Sequence, residues 1–163
     1  MTPAPFLLGF VTLQRGAELV LAQRNTAKLL AKGAIEVAPG HYPLIVALHA
    51  VWLAGLWLLA YDAEIALGWL ALFFALQLLR VWVIASLGSR WTTRIIVLPH
   101  APLSRAGPYR FLAHPNYLVV FGEIAALPLA FGLPAYALIF SLINAAVLAI
   151  RIRAENAALA AMR

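Results

Sequence analysis

The chain has 163 residues, of which 64% are hydrophobic and only 11% charged, with a formal net charge of +6 and a mean hydropathy of +0.91. A soluble domain has nearly half its residues apolar and about a quarter charged, so this composition excludes a water-soluble fold and indicates an integral membrane protein. The absence of cysteine excludes disulfides and thiolate metal sites, and the basic balance is read as loop charge in a membrane chain, not as a nucleic-acid signal.

The N-terminal stretch MTPAPFLLGFVTLQRGAELVL lacks a basic leader and a small-residue cleavage site, so it reads as a first span and not as a cleaved signal. Residues 5–23 form this first apolar segment, interrupted by Gln14, Arg15 and Glu18. Arg15 and Glu18 share a helical face and can pair. The second and third segments are 42–60 and 65–87, and in the third Gln77 and Arg80 have the same spacing. These intramembrane polar groups read either as snorkelling or helix–helix contacts or as the lining of a cavity.

Between the third span and the fourth lies the longest non-spanning segment, 88–116, with Gly88, Pro99, Pro102, Gly107, Pro108 and Pro115. A loop of that length in so small a protein is usually functional or disordered. Within it RIIVL (94–98) reads as a short strand or an interfacial segment, and Pro99 and Pro102 break any helix. Gly107-Pro108 is a turn, and Pro115 suits the first turn of a helix whose free N–H groups favour an anion. Asn116 and Tyr117 are donors at that start.

The fourth and fifth segments, 117–132 and 134–150, are short and separated only by FGLP, which predicts a tight helical hairpin. Glu123 lies inside the fourth, with no basic residue within four positions on its own helix. It needs a function or, as a protonated acid, a helix–helix hydrogen bond. Beyond the fifth, Arg151 and Glu155 are spaced i, i+4 and share one face of a helix leaving the membrane; a surface ion pair is the plain alternative. Arg110 can bind lipid phosphate, and Tyr109 and Tyr117 can be interfacial aromatics. The four histidines have no metal-ligand spacing, so no metal is expected. There is no dinucleotide fingerprint, Walker loop, H-E-x-x-H or G-x-S-x-G motif.

The fold class expected is therefore all-α and integral to the membrane, a single domain over 1–163 with about five transmembrane helices. The last two form the hairpin, and a cytoplasmic cofactor-binding loop and C-terminal helix complete the catalytic portion, about 88–163. Of the twelve Lys and Arg residues, all but Arg15 and Arg80 fall in loops or tails on one face when the spans alternate. The positive-inside rule makes that face cytoplasmic, with the N-terminus outside and the C-terminus inside.

GPYRFLAHPNY…E…LPL followed by RIRAEN…L resembles the isoprenylcysteine carboxyl methyltransferase and phospholipid methyltransferase superfamily. Its usual pattern is Gly-x-Tyr-x-x-x-Arg-His-Pro-x-Tyr, an inner Glu or Gln, and Arg-x-x-x-Glu-Glu. Gly107, Tyr109, His114, Pro115, Tyr117, Glu123, Arg151 and Glu155 match. The resemblance covers about 90–160, and SRWTTRIIVLP is further similar to a bacterial branch often found beside type III polyketide synthases. Ala113 stands where the family has Arg, and Asn156 stands at the second Glu.

The resemblance implies a bacterial inner-membrane enzyme that uses S-adenosylmethionine without a Rossmann domain. Tyr109, Arg110, His114, Pro115, Asn116, Tyr117 and Glu155 would enclose that cofactor, with Leu98 and Leu112 near adenine and Arg110 replacing the contact absent at Ala113. Asn116 and Tyr117 would meet the methionine carboxylate and Glu155 the ammonium. A lipophilic small-molecule acceptor would arrive laterally from the bilayer lipids, with Arg151 orienting its oxygen. A carboxylate acceptor needs no base; a phenol or enol does, for which Glu123 and His114 are candidates. The acceptors expected are alkylpyrone- or alkylresorcinol-like, then prenylcysteine-like, then phosphatidylethanolamine. An NADPH-dependent membrane reductase and a non-catalytic scaffold are the rival readings; the oligomeric state stays open.

Overall fold

The computed structural model describes residues 2–99, 101–102 and 104–161; His100, one of the four histidines, and Arg163, one of the basic residues counted on the cytoplasmic face, lie outside them. Helix α1 spans Ala4–Leu30, α2 Tyr42–Leu59, α3 Leu67–Leu87, α4 Pro115–Ala130 and α5 Pro134–Ala161. A two-stranded antiparallel ribbon joins β1, Ile35–Glu36, to β2, Ile96–Val97, with Ile35 opposite Val97. RIIVL thus contributes a short strand.

Helices α1, α2, α3 and α5 are long and apolar enough to cross a membrane. The 16 residues of α4 reach roughly 24 Å at 1.5 Å per residue, short of the roughly 30 Å hydrocarbon core. The α4–α5 pair is the expected hairpin, turned at Gly132, whose φ is +70°. The fifth apolar segment and the helix expected to leave the membrane beyond it are one continuous 28-residue helix, α5, running to Ala161, because the Ala-, Arg- and Glu-rich tail keeps helix propensity after hydrophobicity ends. In the same way α1 outruns residue 23, since QRNTAKLL holds mostly good helix formers.

Contacts fix the alternation of the helices. At one end Thr2 Oγ1 donates to the Tyr61 carbonyl (3.1 Å) and Ala66 N–H to that of Ala130 (2.8 Å). At the other, buried Asn25 donates through Nδ2 to the carbonyls of Gly88 (3.2 Å) and Trp91 (2.8 Å), and Arg94 meets Glu36 at 2.7 Å. The 88–114 loop, the ribbon, the start of α4 and the tail of α5 therefore share the basic end. The apolar core, with Leu8, Trp52, Leu56, Phe73, Ile124 and Leu127, fills the opposite half.

Between them the intramembrane polar residues form one network. Arg80 forks onto Glu18, Nε to Oε1 at 2.6 Å and Nη2 to Oε2 at 2.8 Å. Glu123 Oε2 accepts from Arg80 Nη1 (2.6 Å) and Arg15 Nη2 (2.7 Å), and its Oε1 from Gln77 Nε2 (2.7 Å). Arg15 also meets Glu18 at 3.2 Å, as the spacing suggested. Two guanidiniums thus face two carboxylates, so the buried cluster is neutral and its charges are hydrogen-bonded, the condition for tolerating them in a low dielectric. The partners of Glu123 are charged and come from α1 and α3; a protonated acid in a neutral helix–helix bond does not describe this geometry.

Gly107 docks the loop on α3. Its φ is +56°, and a Cβ there would fall 1.9 Å from Ser86 Oγ and 2.9 Å from Trp82 Nε1. Gly33, with φ +86°, has nothing within 4 Å. Gly107→Ala should cost more than the roughly 1–3 kcal/mol of left-handed strain alone, and more than Gly33→Ala; unfolding of both variants in detergent checks the difference.

Candidate functional site

The loop, the ribbon, the first turn of α4 and the last turns of α5 enclose a cavity of about 510 Å³. Leu98, Tyr109, His114, Asn116, Tyr117, Arg151 and Glu155 all line it. Four other expected residues do not. Exposed Arg110 lies over the Phe111 ring at 5.5 Å, and Leu112 is 45% exposed. Pro115 is buried as the first residue of α4. Glu123, with no solvent exposure, belongs to the intramembrane network.

A relay runs through the middle of the lining. Buried Arg151 donates from Nε to the Tyr117 hydroxyl at 2.8 Å, and that hydroxyl donates to Glu155 Oε2. The His114 ring stacks on Tyr117 at 5.2 Å, with Nδ1 3.7 Å from Glu155 Oε2. Its Nε2 donates to Asn156 Oδ1 at 3.2 Å, so the residue that departs from the family pattern holds the His114 ring. The i, i+4 spacing of Arg151 and Glu155 is real, but Tyr117 bridges them. Burial, then the Glu155 carboxylate, push the Tyr109 phenol up to about 12, so it remains a neutral hydroxyl at physiological pH.

Arg90, Arg94 and Arg105 also line this cavity, and the sequence reading did not single them out. Ala113 lines it too, with no cation to offer. Of the loop's arginines, Arg90, Arg94 and Arg105 line the cavity and Arg110 does not. The signal available was the SRWTTR segment, but the path of a Pro-broken loop decides which arginine turns inward.

A second cavity, of about 330 Å³, lies among α1, α2, α4 and α5. Leu19, Ile45, Val46, Leu53, Val120 and Val147 give it an apolar wall. Leu19 and Val46 are each 38% exposed, so it opens on the helix surface that lipid would cover. The two cavities share Trp91, Asn116, Tyr117 and Arg151. On that common wall Trp91 Nε1 and Asn116 Oδ1 are buried without a hydrogen-bond partner among the described residues.

A cavity at the basic end thus shares a wall with a second cavity that opens on the apolar helix surface of a membrane protein. The chain belongs to the isoprenylcysteine carboxyl methyltransferase (ICMT) family, which matches residues 69–161, from α3 to the end of α5. It is 37% identical over 158 residues to the uncharacterized protein YpbQ of Bacillus subtilis, covering 94% of each chain. It is 30% identical over 156 residues to an uncharacterized protein of Haemophilus influenzae, covering 86% of each. No solved structure matches.

Proposed function

We propose that the protein is an integral membrane methyltransferase that uses S-adenosylmethionine to methylate an oxygen of a lipophilic acceptor. The observation that carries this reading is the common wall of the two cavities. The residues of the loop cavity suit the cofactor. Glu155 offers a carboxylate to an ammonium, the start of α4 and the lining guanidiniums suit a carboxylate, and Leu98 with Val97 gives an apolar face for adenine. Asn116 Oδ1, buried and without a partner among the described residues, is a polar atom that a ligand would satisfy. The volume lies within the roughly 300–1,000 Å³ of small-molecule sites.

When bound, S-adenosylmethionine supplies an electrophilic methyl group and leaves as S-adenosylhomocysteine, the C–S electron pair staying on sulfur. The chain's part is positioning. Tyr117, fixed by Arg151 and Glu155, holds the wall between the cavities, and Arg151, which lines both, orients the acceptor oxygen. Bringing two reactants into register supplies much of the rate in such a displacement. Access through the Leu19–Val46 opening lets the acceptor enter from the bilayer without crossing water. Arg24, Lys28, Arg90, Arg94, Arg105 and Arg153 crowd the loop end, which the positive-inside rule assigns to the cytoplasm of a bacterial inner membrane. Exposed Arg110 there meets lipid phosphate. The acceptors ranked first are alkylpyrone- or alkylresorcinol-like, ahead of a prenylcysteine-like carboxylate, with phosphatidylethanolamine third.

Calorimetric titration in detergent tests the cofactor assignment. S-Adenosylhomocysteine binding with no NADPH binding is the expected result; tight NADPH binding without S-adenosylhomocysteine binding would mean a membrane reductase instead.

A further inference from the structure

We propose that His49 Nε2 takes the hydroxyl proton of the acceptor, so that the substrate class is a weakly acidic enol or phenol and not a carboxylate. This rests on the methyltransferase reading. The His49 imidazole, on α2, lines the inter-helix cavity. Its Nδ1 lies 2.8 Å from the carbonyl oxygen of Ile45, one turn back. A carbonyl only accepts, so Nδ1 carries the proton and donates. In the neutral ring Nε2 is then the nitrogen with the free lone pair. Among the described residues the ring's one hydrogen bond is at Nδ1.

A second, independent observation concerns the same cavity. Trp52 and Asn144 line it, each is 1% exposed, and among the described residues the Trp52 Nε1 and Asn144 Nδ2 donors have no partner. Trp52 follows His49 by three residues and so shares its helix face. Asn144 precedes Arg151 by seven, two turns away on α5. Buried donors are normally satisfied, so these two call for acceptor oxygens on a ligand's head, and His49 Nε2 calls for a hydroxyl. The charged groups facing the cavity, Arg15 and Glu18 from α1, Arg80 from α3 and Arg151 from α5, already have partners. The other candidate bases are placed less well. His114 lines the loop cavity and is held by Asn156, and Glu123 lines neither cavity described.

The acceptor's O–H bond breaks, and its electron pair stays on oxygen for the new O–CH3 bond. The proton forms an N–H bond at Nε2, and the resulting imidazolium returns it to water after the methyl ether leaves. An ionised carboxylate has no such proton to give.

The test compares the full chain with His49→Asn, whose amide N–H can still reach the Ile45 carbonyl while nothing replaces Nε2. A chromogenic alkyl-nitrophenol reports its own ionisation without any cofactor. The wild type should raise the phenolate fraction of the bound probe, and His49→Asn should abolish the rise. Methyl transfer to an alkylresorcinol should fall about a hundredfold to ten-thousandfold in His49→Asn and recover in part with added imidazole. S-Adenosylhomocysteine affinity should be unchanged, which certifies the fold. A wild type that does not ionise the probe, or a variant that ionises it or keeps its rate, overturns the proposal. Failure of the wild type to bind S-adenosylhomocysteine would overturn the methyltransferase reading itself.

Discussion

Glu155→Gln should weaken S-adenosylhomocysteine binding by about ten- to a hundredfold or more. The substitution keeps the shape and removes the charge at the end of the Arg151–Tyr117–Glu155 relay. Hydrogen bonds to charged groups contribute about 1.5–3 kcal/mol, and each 1.4 kcal/mol is about a factor of ten in affinity. Tyr117→Phe should act in the same direction, because losing the bridging hydroxyl frees both Arg151 and Glu155. Arg153→Ala is the control: it is exposed, on the same helix, and lines neither cavity. Equal affinity in Glu155→Gln and wild type, measured by titration calorimetry, would remove Glu155 from the binding site.

The largest effect on stability should come from Glu123. Replacing it with leucine leaves Arg15 and Arg80 to share Glu18, one positive charge in excess inside the helix bundle. Breaking a buried pair by removing one partner costs about 3–5 kcal/mol. The double variant Arg15→Met with Glu123→Leu restores neutrality and keeps the forked Arg80–Glu18 pair, so it should unfold at a higher denaturant concentration than Glu123→Leu alone. If the double variant is the less stable, the network is not held by charge balance.

These two sites differ in how far the sequence reveals them. Arg15–Glu18 pairing follows from helical spacing, and the helix start at Pro115 from local backbone rules. Arg151 and Glu155 follow from one periodicity. The partners of Glu123 do not, because they lie on α1 and α3, brought near only by packing of the bundle. Tyr117 between Arg151 and Glu155 was hidden for the same reason: α4 must meet α5 before its hydroxyl can bridge them. The continuation of α5 past the apolar segment follows from that same Arg151–Glu155 periodicity, since hydrophobicity reports where a membrane ends, whereas helix propensity decides where a helix ends. The turns beyond residue 150 carry Glu155 and Asn156. That Arg105 lines the loop cavity and Arg110 does not depends on a loop with several prolines, whose course no periodicity encodes.

His49 shows the opposite case. One histidine on an apolar helix carries no motif, and it falls outside the residues matched by the family, 69–161. Only the bond to Ile45 and the cavity beside it give the ring a chemistry.

The most direct measurement is incubation of the purified protein with methyl-labelled S-adenosylmethionine and a bacterial lipid extract, followed by mass analysis of the organic phase. The expected result is label in an oxygen-methylated lipophile, absent when Glu155→Gln replaces the wild type. Unlabelled lipids, with the labelled cofactor recovered intact, would contradict a methyltransferase.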